Sequence, residues 1–160
     1  MKNAATIGER LARVRAAIAA ACEQSGRDPA EATLVGVSKT HPAVEVIAAH
    51  EAGILDFGEN RVEEAVDKIA EVEAAVSDAS MRWHMIGHIQ SRKARLIVPR
   101  FALVHSVDSV RLAEKLGRIA SDSGRTLDIL LEVNVSGEES KYGFNAHGWQ
   151  DTAAVRESLW

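Results

Sequence analysis

A lysine stands where an apolar run near the start of the chain ends. Residues 34–37 read LVGV, and the residues that follow read SKTHP, in which the lysine is Lys39. Burial disfavours the ammonium form, so an amine at the tip of a buried strand can become neutral and nucleophilic. A neutral amine attacks aldehydes and forms a carbon–nitrogen double bond. Lys39 is therefore a candidate for covalent attachment of an aldehyde, unless it only extends its charged head into water.

Polar residues follow four other apolar runs in the same way. They occupy positions 59–60, 87–88, 106–108 and 134–136. In a parallel α/β fold the C-terminal ends of the strands lie on one edge, and that edge carries the functional site. The sequence therefore predicts that these polar residues gather around Lys39.

The segments between these strand ends have the spacing of helices. An amphipathic helix is predicted over residues 5–24, with an apolar face made of Ile7, Leu11, Val14, Ile18 and Cys22. We predict strands over residues 33–38, 54–60, 81–87, 101–108 and 127–137. Helices are expected over 42–52, after residue 60, and over 90–98, 109–124 and 145–160. This alternation indicates an α/β fold with five parallel strands covered by helices.

Asn60 and Asp108 stand at the predicted starts of two of these helices. Both residue types cap helix N-termini, and Glu63 completes the spacing of a capping box with Asn60. In the helix after Asp108 the predicted buried stripe consists of Val110, Ala113, Leu116 and Ile119.

The composition is that of an ordinary globular protein and excludes several classes. The chain has 160 residues, of which 46% are hydrophobic and 26% charged, so we expect one domain over residues 1–160. A net charge of −4 gives no electrostatic reason to expect nucleic acid or an anionic membrane as partner. The histidines show no metal-ligand spacing. A single cysteine, Cys22, favours a reducing cytoplasm.

Five motifs follow one another in a specific order. They read LVGVSKTHP, FGENRVEEAVDKI, WHMIGHIQSRKAR, VHSVDSVRLAEKL and LEVNVSGEESKYGF. Over about residues 7–145 the chain closely resembles the pyridoxal phosphate homeostasis proteins, whose fold is similar to the N-terminal barrel of alanine racemase. The resemblance implies part of a (β/α)8 TIM-type barrel. It also implies that Lys39, in VSK, holds pyridoxal 5′-phosphate (PLP) as a Schiff base.

The resemblance further implies a role in intracellular vitamin B6 homeostasis without catalytic turnover. PLP-dependent enzymes are then the expected protein partners, and the complete family fold is expected to be a monomer. Asn60 and His84 are the other residues expected to contact the cofactor. Asn60 can instead be a helix cap, or serve in both roles, and His84 can instead be a packed core histidine.

Two groups of basic residues stay open to more than one interpretation. Arg92, Lys93 and Arg95 form either a solvated helix face or an anion site. Lys141, in the loop after the fifth predicted strand, is either a solvated loop lysine or a secondary acceptor of an aldehyde.

The chain departs from the resembled family in its strand count. The family barrel needs eight strands, so the chain is expected to be the N-terminal part with the last three strands absent. The unpaired edge strands give such a chain a route to self-association. A cofactor-free α/β scaffold fragment is the main alternative. An alanine racemase is the other, but it would need a second domain with a tyrosine base, and Tyr142 is the single tyrosine.

We predict weak or absent PLP binding by residues 1–160 in isolation, because no Gly- and Ser-rich phosphate cradle is found in the sequence. Charge-assisted hydrogen bonds contribute roughly 1.5–3 kcal/mol each, so losing two weakens binding by about 3–6 kcal/mol, or roughly a hundredfold to tens of thousandfold. Absorbance titration with borohydride reduction measures the affinity. Stoichiometric labelling of Lys39 at micromolar PLP would contradict the prediction.

Overall fold

The structure, a computed structural model, describes residues 4–78 and 80–147. The chain divides into two compact units. Unit one comprises the described residues up to Gly58 together with Asp67–Arg82. Unit two comprises Glu59–Val66 and the described residues from Trp83 onward.

Helices and strands alternate along most of the described chain. The helices are α1 (Ala4–Ser25), α2 (Ala43–Glu51), α3 (Val62–Ala75), α4 (Ala94–Ile97) and α5 (Val110–Asp122), with 3₁₀ turns at Pro29–Glu31 and Ser91–Lys93. The strands are β1 (Val35–Val37), β2 (Asp56–Glu59), β3 (Arg82–Met85), β4 (Leu103–Val107), β5 (Asp128–Leu131), β6 (Val133–Asn134) and β7 (Phe144–Asn145). Among the helices of these described ranges, none is long and apolar enough to cross a membrane.

Strands β1 to β5 pair in chain order and form one five-stranded sheet. In unit one, Val35 of β1 pairs in parallel with Asp56 of β2. In unit two, β4 pairs in parallel with both β3 and β5. The predicted α/β class, with five parallel strands in sequential order preceded by a helix, is therefore confirmed.

In unit one the first two helices pack against each other. Helix α1 packs on α2, and Leu11 of α1 and Val46 of α2 are both buried. The helix predicted over residues 5–24 is confirmed to within one residue at each end. At the start of β3 the Arg82 guanidinium donates two hydrogen bonds, of 2.7 and 2.8 Å, to the buried Asp56 carboxylate. This contact raises the pKa of Arg82.

In unit two the buried stripe of α5 differs from the predicted one. The helix buries Leu112, Leu116 and Ala120, whereas Val110 is 46% exposed. Successive steps of three residues turn steadily around a helix, so the four predicted residues span half of its circumference. Steps of four residues keep a narrower stripe, and the prediction was correct only at its centre, Leu116.

The predicted cap of α5 is also one residue early. Ser109 is the N-cap residue, and its side chain makes no capping hydrogen bond. The Ser109 hydroxyl instead donates to the Asp108 carboxylate at 2.9 Å. Asp108 thus accepts from its neighbour with one oxygen, while its other oxygen faces His88.

The strand predicted over residues 127–137 is broken at Glu132. Strand β5 ends at Leu131, and Val133–Asn134 form β6, which pairs in parallel with β7. The pairing needs a glycine at position 143, because a Cβ there would lie 2.8 Å from the Glu132 carbonyl oxygen, and Gly143 has a φ of +111°. Asn145, the first residue of the helix predicted over 145–160, belongs to β7, while residues 148–160 lie outside the described chain.

We predict that Leu116→Ala lowers the free energy of unfolding by about 2–5 kcal/mol, because it leaves a cavity under α5. Val110→Ala on the same helix should change it by less than about 0.5 kcal/mol, because that side chain is largely in solvent. Urea unfolding of both variants measures the difference. A larger loss of unfolding free energy for Val110→Ala than for Leu116→Ala would support the buried stripe predicted from the sequence.

Candidate functional site

Lys39 lies in a tight turn directly after β1, in unit one. The Ser38 N–H donates to the Gly58 carbonyl at 3.0 Å, which extends the pairing with β2 by one residue. The Ser38 carbonyl accepts the His41 N–H at 3.0 Å and closes a four-residue turn. Lys39 therefore occupies the second position of a turn that is tied to the sheet.

The third residue of this turn has an unusual backbone conformation. Thr40 has a φ of 65°, and it is the one non-glycine residue with positive φ among the described residues. A β-branched residue is disfavoured in this left-handed region, and such strain costs of order 1–3 kcal/mol. The surrounding hydrogen bonds must hold the turn against this cost.

The strand predicted over residues 33–38 is shorter in the structure. Strand β1 spans Val35–Val37 and so ends one residue before the predicted end, and Lys39 is exposed. Val37, the last residue of β1, is 48% exposed. Lys39 is thus accessible to a ligand. The position of Lys39 is set by the turn, and not by the alternation of side chains along a strand.

A buried lysine contacts the same turn and was missed in the sequence. Lys68 of α3 is 7% exposed, and its Nζ donates to the Ser38 carbonyl oxygen at 2.8 Å. The signal was the helical spacing, because Lys68 stands three residues after Ala65 and next to Ile69, both of which are buried. The apolar face of α3 therefore includes one ammonium group.

In unit two, Asn60 follows β2 but does not cap α3. The helix begins at Val62, and the Glu63 carboxylate contacts Lys93 instead of completing a capping box. The hydrogen bond from Lys93 lowers the pKa of Glu63. The capping prediction was wrong because the chain runs on for one residue before the helix begins.

The side-chain oxygen of Asn60 is a buried acceptor. Among the described residues Oδ1 of Asn60 has no hydrogen-bond partner. Buried polar atoms are rarely left without a partner in folded proteins, so such an atom is a candidate for contact with a ligand. This orphaned acceptor is the feature of unit two that best fits a bound polar molecule.

The backbone around Asn60 is held by the end of β3. The Ile86 N–H donates to the Glu59 carbonyl at 2.9 Å, and a Cβ at Gly87 would lie 2.2 Å from the Asn60 carbonyl oxygen. Ser106 of β4 donates to the Gly87 carbonyl at 2.6 Å. A glycine is therefore required at position 87 for Asn60 to lie where it does.

His84 of β3 is buried and paired with a second histidine. Its Nδ1 lies 2.9 Å from Nε2 of His105 on β4, and the two ring centroids are 5.2 Å apart. The strand register explains the pair, because His84 aligns with Leu103 and side chains two residues apart share a face. His105 was not predicted as a site residue from the sequence. Burial, and then the charge of His84, lower the pKa of the His105 imidazole.

Polar groups that follow β3, β4 and β6 also meet within unit two. The Nδ1 atom of His88 lies 3.2 Å from the Asp108 carboxylate, and the His88 ring stacks on Tyr142 with centroids 3.8 Å apart. Together with Arg111 and Lys141 they line an open cavity of about 500 Å³. Within unit two the predicted polar strand ends at 87–88 and 106–108 therefore lie close together, whereas their gathering around Lys39, which belongs to unit one, stays a prediction.

The basic residues after β3 do not form a common anion site. Arg92 donates to the Gln90 side chain, Lys93 contacts Glu63, and Arg95 is exposed. Because the contacts of these residues differ, they agree with the interpretation of a solvated helix face. Lys141 is exposed in the loop after β6, where the Asn134 side chain donates to the Glu138 carbonyl at 2.9 Å.

Comparisons with known proteins agree with the resemblance stated from the sequence. A family described as alanine racemase, N-terminal domain, matches residues 10–158. A pyridoxal phosphate homeostasis protein of Pseudomonas aeruginosa is 47% identical over 86% of this chain and 58% of its own length. A protein of the same name from Escherichia coli K12 is 39% identical over 96% of this chain and 65% of its own length. The chain thus spans about three fifths of the length of these curated relatives.

Solved structures share the fold over nearly the whole chain. PipY of Synechococcus elongatus with PLP bound has a TM-score of 0.73 at 36% identity, covering 96% of this chain and 65% of its own. A protein of unknown function from Bifidobacterium adolescentis has a TM-score of 0.82 at 35% identity, covering 98% of this chain and 64% of its own. An alanine racemase of Clostridium difficile has a TM-score of 0.54 at 16% identity, covering 78% of this chain and 32% of its own, which shows the fold alone.

We predict that the histidine pair makes stability fall as pH drops below neutrality. The folded-state pKa of His105 is lowered from the ordinary 6.5, so the unfolded chain binds the proton more readily. Stability is therefore lost as pH falls through the ordinary value. Urea unfolding at pH 7.5 and 5.5 measures this, and His105→Asn should reduce the loss. An identical pH dependence in the variant would show that the pair makes no such contribution.

Proposed function

Because this chain belongs to the alanine racemase N-terminal domain family, we propose that it binds pyridoxal 5′-phosphate through Lys39 and takes part in PLP homeostasis. The main observation in support of this proposal is that the Lys39 amine is exposed on a turn whose backbone is hydrogen-bonded to the sheet. The structure of PipY with PLP bound supports the cofactor, and the names of the curated relatives support homeostasis. A cytoplasmic location stays a prediction based on the single cysteine.

The chemistry that Lys39 would perform is a condensation. The cofactor supplies an aldehyde carbon, to which Lys39 Nζ forms a carbon–nitrogen double bond as one molecule of water leaves. Lys39 is exposed, so a ligand from solution reaches its amine. The hydrogen bonds of Ser38 to Gly58 and His41 fix the backbone on which the amine stands.

Asn60 and His84 are proposed as further contacts of the same cofactor. Oδ1 of Asn60 is a buried acceptor that a polar group of the ligand can satisfy. His84 has its ring orientation fixed by the bond with His105, which suits a contact of defined geometry. The same bond also fits the alternative role of His84 as a packed core histidine.

We propose that the protein binds without catalytic turnover. The curated relatives are named for homeostasis, and the alanine racemase likeness is one of fold. Tyr142 is the single tyrosine of the sequence, and its ring stacks on His88. A racemase base would need a hydroxyl placed against a substrate.

The domain assignment follows the same reasoning. We propose that residues 1–160 act as a single domain that supplies the first five strands of a PLP-binding barrel. In the complete fold the expected state is a monomer, and PLP-dependent enzymes are the expected recipients. Exposed apolar residues on β5, among them Leu130 and Leu131, are where this chain would self-associate.

We predict that borohydride reduction at millimolar PLP labels Lys39 in preference to the other lysines, which are Lys2, Lys68, Lys93, Lys115 and Lys141. Peptide mapping by mass spectrometry locates the pyridoxyl group. Lys39→Ala should abolish the preferred label and the absorbance of the bound form, whereas the control Lys115→Ala should retain both. Asn60→Ala and His84→Ala should each lower the labelled fraction at Lys39.

The alternatives give different results in the same experiment. Labelling spread over exposed lysines, unchanged by Lys39→Ala, would support the cofactor-free scaffold. Conversion of L-alanine to D-alanine by the PLP-loaded chain would support the racemase.

A further inference from the structure

We propose that Lys68 is a positioning residue for Lys39. Its buried ammonium group holds the Ser38 carbonyl and thereby fixes the turn that presents the Lys39 amine. This inference rests on the proposed function, since it gives a role to the residue that supports the attachment site. It does not place Lys68 in contact with the cofactor.

A charge at this place in α3 needs an explanation. Lys68 is 7% exposed and stands beside Ile69 on a helix whose buried residues are otherwise apolar. Removing an ammonium group from water is unfavourable unless it gains good hydrogen bonds. A methionine would fill a similar volume without that cost. The hydrogen bond of 2.8 Å to Ser38, thirty residues away in sequence, is one interaction that the charged group makes and an apolar one cannot.

Ser38 is the point at which three interactions meet. Its N–H donates to the Gly58 carbonyl, and its own carbonyl accepts both the His41 N–H and Lys68 Nζ. A carbonyl oxygen has two lone pairs, and here each has a donor. The peptide plane between Ser38 and Lys39 therefore cannot rotate without breaking two hydrogen bonds. The position of the Lys39 backbone follows from that plane.

The backbone strain at Thr40 explains why the hydrogen bond from Lys68 to the Ser38 carbonyl is important for the turn. Thr40 has a φ of 65°, and its preferred conformations have negative φ. Without the bond from Lys68, the Ser38 carbonyl loses one of its two donors, and the peptide planes on both sides of Thr40 rotate more easily. The ammonium of Lys68 acts on the first carbonyl of the turn and opposes this relaxation. Its removal should leave β1 intact and allow Lys39 to adopt several orientations.

A purely structural role for Lys68 predicts a different pattern. If the ammonium only stabilised the fold, any destabilising change in α3 would act on Lys39 to the same extent. Val72, on the same helix, is fully buried, and Val72→Ala removes packing without removing the hydrogen bond from Lys68 to Ser38. It is therefore the control for Lys68→Met, compared at matched global stability in urea.

The experiment uses two measurements, one of them independent of PLP. Hydrogen exchange of the His41 amide, followed by NMR, reports the closing hydrogen bond of the turn. We expect Lys68→Met to speed this exchange by about tenfold or more, since a charge-assisted bond is lost. The rate of borohydride-trapped labelling of Lys39 by PLP should fall by a similar factor. Val72→Ala should change neither.

Two further variants test whether the effect passes through the turn. Lys68→Arg retains a cation and should restore part of both signals. Thr40→Gly removes the backbone strain, because glycine accepts positive φ, and should rescue Lys39 labelling in the Lys68→Met background. If Lys68→Met fails to fold, Lys68→Gln keeps a donor without the charge and should give intermediate values.

The outcomes separate this inference from the proposed function. Unchanged His41 exchange in Lys68→Met and Lys68→Gln would overturn the positioning role, as would equal effects from Val72→Ala. Faster His41 exchange with no PLP label on Lys39 in the unsubstituted chain would support the positioning of the turn and refute the proposed function. Faster exchange with normal labelling of Lys39 would show that the turn does not govern the amine.

Discussion

The hydrogen bond from the Ser38 N–H to the Gly58 carbonyl is the constraint on which the Lys39 site depends. It carries the parallel pairing of β1 with β2 one residue past the strand, and so decides where the chain may turn. The turn that follows is narrow enough to force Thr40 into the left-handed region. A reactive amine in a flexible loop would sample many orientations, whereas this backbone is fixed by the sheet before any ligand arrives.

In unit two the backbone of Asn60 is also held in place, but by a different kind of contact. There a close backbone approach, which only glycine permits at position 87, replaces the tight turn. The Asn60 backbone is held while its side-chain oxygen lacks a partner among the described residues. A helix cap would have satisfied that oxygen internally. The extra residue before α3 leaves it available, so a small shift in the helix start changes a structural group into a candidate ligand contact.

The sequence was sufficient to predict those features of the fold that depend on local or periodic residue patterns. The α/β class, the order of the parallel strands and α1 followed from spacing. Lys39 was a candidate from its place after an apolar run, and Asn60 and His84 followed from family resemblance. Lys68 and His105 could not be found in the same way, because each matters through one partner on a distant segment. The break at Glu132 depends on the approach of Gly143, which also lies outside any local pattern. The Asp108 cap failed by one residue because its hydrogen bond with Ser109 competes with capping. The Asn60 cap failed because α3 begins only at Val62.

Two lysines near the end of β1 have opposite environments, and the contrast explains why only one is suited to attachment. Attack on an aldehyde needs an accessible amine with a lone pair directed at the carbonyl carbon. Lys68 is nearly inaccessible and directs a proton at the Ser38 oxygen, so its geometry serves the backbone. Lys39 is exposed, and its backbone position is set by that same oxygen. The Ser38 carbonyl thus links a buried cation to the turn that carries an exposed amine, and this shared oxygen is the basis of the proposed positioning role.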